Sequence, residues 1–234
     1  MPRDAVCVTD VPAVLFHAVC HDTRRVCPIP ILAVMLRREE PPFRPNSTRF
    51  TIQRMRKVVL GLGISIDGNI ARTNGDVDFL FMPKDYSMAP FFKTIDATIM
   101  GRKTLDIALK MGGGSYPGGS MPTYVLSHSK PPGERDGLTF SNESPAALVQ
   151  RLRTRPGKNI WLMGGGELAR SFLQADLVDE MYLGVVPVLL GEGLPLFPSG
   201  FPQRNFALLE NKTYSKGMIA LKYERVRSKT KRKS

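Results

Sequence analysis

From Arg56 onward the apolar positions follow two alternating periods. Arg56–Ser65 is a nearly continuous apolar run, the pattern of a strand buried on both faces. Asp67-Gly68 and Asn74-Gly75 are turn dipeptides, so a loop follows it. Residues 84–95 read as a helix that Pro90 shortens or breaks. Ala97–Gly101 is a short strand and Lys103–Lys110 a helix, and the glycines from Gly112 to Gly119 make a flexible loop. Pro122–Leu126 is a strand. Ser144-Pro145 pairs an N-cap with a proline at the first helical position and opens a helix to about Arg153. Ile160–Met163 is a strand, Gly164-Gly165-Gly166 a turn, and Glu167–Gln174 a helix. Asp179–Leu190, Phe206–Tyr214 and Met218–Val226 are strands, the last two joined through Lys216-Gly217. Strands alternating with helices predict an α/β fold with a mostly parallel sheet flanked by helices, and the final pair predicts a C-terminal antiparallel hairpin.

Residues 1–54 do not share these periods. They hold seven of the nineteen prolines and read as a disordered extension, or as sequence upstream of a true start at Met55. All three cysteines (Cys7, Cys20, Cys27) lie there, so disulfides and thiol chemistry are excluded from the body, which fits a reducing cytoplasm. Cys20, His21 and Cys27 match no zinc spacing, and no metal site is expected. No apolar run reaches the ~18 residues that a membrane span requires. The net charge is +12, but six positives fall in the last ten residues, without an acid among them. The body is only mildly basic. Nucleic acid is therefore disfavoured as a partner, and a basic tail from about residue 227 reads as a solvated segment.

The chemistry begins at the glycine turn. Between a strand and a helix, three residues without Cβ atoms let backbone approach a bulky group. The helix start adds unpaired N–H groups and the positive end of a dipole. Together they make a phosphate or pyrophosphate site. Other pieces recur in order: Ser65-Ile66-Asp67-Gly68-Asn69-Ile70-Ala71, Met100-Gly101-Arg102-Lys103-Thr104, Val125-Leu126-Ser127-His128-Ser129, and Val186–Gly193. In this order residues 55–226 resemble the dihydrofolate reductase fold. Within it they resemble most the C-terminal reductase domain of the riboflavin-biosynthesis protein RibD and its stand-alone relatives.

The resemblance implies an NADPH-dependent reductase with roles at particular positions. Gly164, Gly165 and Gly166, with the N–H groups near Glu167 and Leu168, would admit the pyrophosphate. Arg102 and Lys103 would face the 2′-phosphate, helped by Ser127, His128 and Ser129. Thr104 would cap the helix after Gly101 and bond the pyrophosphate. Gly63, Ile70 and Ala71 would line the nicotinamide. Asp78 and Asp67 are the carboxylates singled out for catalysis, with Asp76 and Asp85 behind them. Asp78-Phe79-Leu80 resembles an Asp-Trp-Leu of the stand-alone relatives, and Asp67 has a turn role as its alternative.

The same resemblance marks departures. Met121 stands about where folate reductases carry an arginine for the substrate glutamate. Gly61 replaces a lysine, Met163 replaces a glutamate, and Ala108–Met111 replaces the stretch that holds a ribose phosphate. The implied activity is reduction of 5-amino-6-(5-phosphoribosylamino)uracil. The alternatives are a stand-alone reductase of another substrate or a non-enzymatic nucleotide-binding protein. A small pyrimidine- or pterin-like substrate, a cytoplasmic homodimer and no membrane association complete the expectation.

Overall fold

The buried run beginning at Val58 becomes the middle of a sheet. The structure is a computed structural model that describes residues 55–116 and 119–227. The extension 1–54 with its cysteines and the segment from residue 228 lie outside the described residues. In chain order the elements are β1 (Val58–Ser65), β2 (Asn69–Ala71), α1 (Ala89–Phe92), β3 (Ile95–Gly101), α2 (Arg102–Met111), β4 (Thr123–Leu126), β5 (Gly133–Arg135), β6 (Leu138–Ser141), α3 (Pro145–Arg153), β7 (Asn159–Gly164), α4 (Gly166–Gln174), β8 (Glu180–Val186), β9 (Leu194–Pro195), β10 (Phe206–Thr213) and β11 (Ile219–Arg225). Nine of the strands form one sheet in the order β10-β11-β8-β1-β7-β3-β4-β6-β5, and β2 pairs with β9. The pairings from β8 through β6 are parallel. β11 runs antiparallel to β8 and β10 to β11, so the hairpin closes one edge.

Each face of the sheet has its own packing. Val58, Leu60, Ile99, Ile160 and Leu162 point to one face and meet Leu148, Val149 and Leu152 of α3 and Ala169, Phe172 and Leu173 of α4. Phe172 is fully buried there. The other face carries three smaller clusters, around Met100 and Leu105, around Phe91 and Ile95, and around Phe79 and Met218. Ser144 caps α3 by accepting the Ala147 N–H at 3.2 Å, as its sequence implies.

Several elements differ from the sequence expectation. The helix over 84–95 is one turn, Ala89–Phe92, with Pro90 in its first turn. The long strand from Asp179 ends at Val186, before Pro187, which has no N–H to donate to a ladder. Strands β5 and β6 are an addition. Their three and four residues, turned at Asp136 and Gly137 with positive φ, are too short to carry a readable period.

Ion pairs hold the amino ends of the parallel strands. Buried Asp179 accepts the Val58 N–H at 2.8 Å and pairs with Arg153 at 2.6 Å and Arg227 at 2.9 Å. Buried Glu180 lies between Lys57 at 2.6 Å and Lys222 at 3.5 Å. Arg225 and Arg227 also engage Asp176. Two of the positives in the last ten residues thus belong to the folded body, Arg225 nearly buried and Arg227 exposed, both fixed by ion pairs to acids. No helix among the described residues is long and apolar enough to cross a membrane.

Candidate active site

Parallel strands end together, and register makes that statement specific. Gly101 of β3 lies beside Leu126 of β4, which lies beside Ser141 of β6. Met100 lies beside Gly164 of β7. With strands ~4.8 Å apart, the row from β1 to β6 spans four spacings, about 19 Å. Residues at these carboxyl ends, together with the starts of α2 and α4, line a cavity of about 860 Å³. Carboxyl ends of parallel strands are where open α/β sheets bind ligands.

The glycine turn is built for close approach. Gly164 ends β7 at φ 94°, a conformation that suits glycine. Gly165 precedes α4, and its N–H donates to Thr104 Oγ1 at 3.0 Å. A Cβ on Gly165 would stand 3.2 Å from that same oxygen. The Gly165 carbonyl accepts the first helical bond from the Ala169 N–H. The N–H groups of Gly166, Glu167 and Leu168 therefore have no partner within the helix. Gly165, Gly166, Glu167 and Leu168 line the cavity, and Gly164 is not among the lining residues. Gly166 has a packing role as well, because a Cβ there would stand 2.3 Å from the Pro195 carbonyl oxygen.

Gly101, Arg102, Lys103 and Thr104 line the cavity from the start of α2. Arg102 turns along its helix and pairs with Asp106. Ser127, His128 and Ser129 line it from the end of β4. Ser127 is buried, and its Oγ accepts the N–H groups of Ser129 at 3.3 Å and Lys130 at 3.1 Å. Next to these the structure adds residues the sequence pattern missed: Ser141, Asn142, Glu143 and Ser144. Arg151 donates to Glu143 through Nε at 3.1 Å and a terminal nitrogen at 2.7 Å. That guanidinium holds the Glu143 carboxyl below its usual range, and the Ser141 hydroxyl helps. The Ser144-Pro145 signal pointed at a helix start and carried no hint that the start opens into a cavity.

The opposite end of the cavity is apolar. Gly63, Ile70 and Ala71 lie there with Leu62, Val77, Leu80, Ile107 and Leu194. The carboxylates that the sequence singled out are not among the lining residues. Asp67 accepts the Ser65 hydroxyl at 2.5 Å and the N–H groups of Leu190 at 3.1 Å and Gly191 at 2.9 Å. The Ser65 bond, aided by those backbone donors, brings its carboxyl down to about 2. Asp78 is exposed and takes a two-pronged contact from Arg72, at 2.7 and 3.2 Å, which lowers its pKa. It borders a second cavity of about 390 Å³ with Asp76 and Lys110. Asp85 accepts the N–H and hydroxyl of Ser215. All three carboxylates are engaged as acceptors that tie loops down. Among the described residues no group of three or more His, Cys, Asp or Glu is placed to hold a metal ion.

The order of these parts along the sheet agrees with comparison to known proteins. Residues 56–220 match the RibD C-terminal domain family, well over half of the chain. The chain belongs to that family. Two similar proteins come from Bacillus subtilis (strain 168). The uncharacterized protein YwjB is 37% identical over 145 residues, covering 61% of this chain and 83% of YwjB. The uncharacterized protein YyaP is 33% identical over 184 residues, covering 73% of this chain and 95% of YyaP. A solved structure described as a putative riboflavin biosynthesis protein from Shewanella sp. PV-4 is similar at a TM-score of 0.65 and 26% identity, over 73% of this chain and 99% of that one. The RibD-type fold is thus a mostly parallel sheet flanked by helices with an antiparallel hairpin at its end.

Proposed function

We propose that this chain is an NADPH-dependent reductase of a small planar molecule. The observation that carries the reading is the cradle between Thr104 and Gly165, with polar and cationic groups on one side of it and an apolar end on the other. NADPH fits this arrangement: two helix starts and a turn without side chains suit a pyrophosphate. Arg102, Lys103, Ser127, His128 and Ser129 suit a 2′-phosphate, since a dianion calls for paired cations and hydroxyls. Ser141, Asn142 and Glu143 extend that end. Gly63, Ile70 and Ala71 would lie along the nicotinamide, which supplies a hydride when bound. The chain's part in the reaction is to orient that ring and hold the phosphates. Asp67 and Asp78 serve in this reading as positioning residues, one latching the 190–191 loop and the other clamping Arg72, and water supplies the proton.

Of the two substrate readings, the stand-alone reductase is favoured over the phosphoribosylaminouracil reductase. A Cβ at Gly61, where the resemblance expects lysine, would stand 3.0 Å from Phe91 and 3.1 Å from Trp161. A cytoplasmic homodimer remains part of the proposal, supported by exposed Leu208 and Leu209 on edge strand β10, and sedimentation of the purified protein tests the oligomer. Calorimetric titration with NADPH and NADH tests the core of the reading. Tighter binding of NADPH is expected, and no binding of either would overturn it.

A further inference from the structure

Among the described residues, two carboxylates line the large cavity, and each is paired with an arginine that does not line it. Glu167 is exposed, and its partner Arg170 lies three residues on along α4, so water weakens that contact. Glu143 is held more firmly. Its carboxylate takes Arg151 Nε at 3.1 Å, a terminal nitrogen of Arg151 at 2.7 Å and the Ser141 hydroxyl at 3.0 Å. The Glu143 N–H donates back to Ser141 Oγ at 3.1 Å, which fixes the turn after β6. Arg151 comes from the last turn of α3, and its guanidinium rests over the Tyr124 ring at 5.5 Å. A planar fork on one side and a ring on the other suit arginine and not lysine. Arg151 also holds the Glu143 carboxyl below its usual range, so the acid is ionised when a ligand arrives.

The pair stands at the polar end of the cavity. The Ser127 N–H donates to the Ser141 carbonyl at 3.0 Å, and β4 lies beside β6, so the turn carrying Glu143 adjoins the loop of Ser127, His128 and Ser129. A bare carboxylate at such a place repels a phosphate dianion and accepts a ribose hydroxyl, which is how dinucleotide sites come to favour NADH. Here the charge is not bare. Arg151 offsets it from behind, outside the cavity wall. The carboxylate still has an acceptor to offer, because its roughly four lone-pair positions are met by the three donors named above.

We propose that the Glu143–Arg151 pair sets how strongly the site prefers NADPH to NADH. Arg151 masks the Glu143 charge so that a 2′-phosphate can sit near it, and the same carboxylate keeps an acceptor for the ribose hydroxyl of NADH. The proposal rests on the cofactor reading above. Arg102 and Lys103 attract the phosphate from the start of α2, and the pair fixes how much of that attraction is opposed from the end of β6. Glu143 is the specificity-determining group, and Arg151, acting through it, is a positioning residue.

The test is calorimetric titration of the full chain with NADPH and NADH, and with adenosine 2′,5′-bisphosphate and adenosine 5′-monophosphate, which read this end of the cavity without a nicotinamide. The readout is the ratio of the two Kd values in each pair. Arg151→Met keeps apolar bulk over Tyr124 and bares the carboxylate, so the preference for the 2′-phosphorylated member should fall by about three- to tenfold. Glu143→Gln removes the charge and keeps an acceptor of the same shape, so the preference should rise by about the same factor. The double variant replaces the pair by two neutral groups, and its ratio should return to within about twofold of the wild type. A pair that only braces the turn would weaken both members of each pair alike and leave the ratios where they are. Melting curves show which variants are folded; if Arg151→Met is unfolded at the assay temperature, Glu143→Gln decides alone. Ratios that do not move in Glu143→Gln, or that move in the same direction in both single variants, would overturn the proposal and leave the cofactor reading standing. No binding of any of the four nucleotides by the wild type would overturn both.

Discussion

Removing Arg102 should change which dinucleotide the protein prefers. Arg102 opens α2, is 37% exposed, and pairs with Asp106 one turn on. An exposed pair of this spacing is worth ~0.3–0.5 kcal/mol. A charge-assisted hydrogen bond contributes ~1.5–3 kcal/mol, and a group this exposed belongs at the lower end. Moving the guanidinium from Asp106 to a 2′-phosphate therefore nets about 1–1.5 kcal/mol, or about five- to tenfold in Kd. Arg102→Ala should weaken NADPH by that factor and leave NADH unchanged. Asp106→Asn removes the competing carboxylate and should tighten NADPH by about twofold. Calorimetric titrations of the wild type and both variants with both cofactors, at one ionic strength because salt screens such contacts, measure the constants. Equal losses for NADPH and NADH in Arg102→Ala would refute the reasoning, because the arginine would then face a part common to both.

Thr104→Val should weaken NADPH and NADH alike, by about two- to tenfold from one hydrogen bond at the cradle, with their ratio unchanged in the same titration. Glu180→Gln removes the buried acid between Lys57 and Lys222, while Lys57 keeps Glu224 at 2.7 Å, so the cost should be about 1 kcal/mol. A melting curve would register this as a Tm lower by about 2–4 °C, with NADPH affinity retained because Glu180 lies at the amino end of β8. The Asp67 latch should fail in acid. Its pKa is about 2 in the fold against about 3.9 in an unfolded chain, so its contribution is present above pH ~4 and is lost as the pH falls toward 2. Hydrogen-exchange protection of the Leu190 and Gly191 amides should drop across that window, and in Asp67→Asn it should be low and flat.

Much of the fold was legible because its signals are local. The apolar run at Val58–Ser65, the Ser144-Pro145 helix start and the glycines after Met163 each encode their element within a few residues. Short elements were not legible. Leu138–Ser141 has only four residues, and its strand character comes from pairing with β4, which no local period reveals. Its absence from the sequence reading also hid Asn142 and Glu143 from the candidate site. The carboxylates went the other way. Asp67 and Asp78 stand in motifs that suggest chemistry, yet their partners, the Leu190 and Gly191 amides and Arg72, are brought to them by loop geometry.

By itself the sequence determined the order of strands and helices, the turn without side chains and the residue types suited to a dinucleotide, all set by neighbours along the chain. Only the tertiary structure decided that the ends of β3, β4 and β6 align in one row, and that Phe91, Leu80 and Met218 cover the glycines of β1 and β8. Strand order and register bring residues from distant parts of the chain into one wall, and those depend on the whole sheet being packed at once.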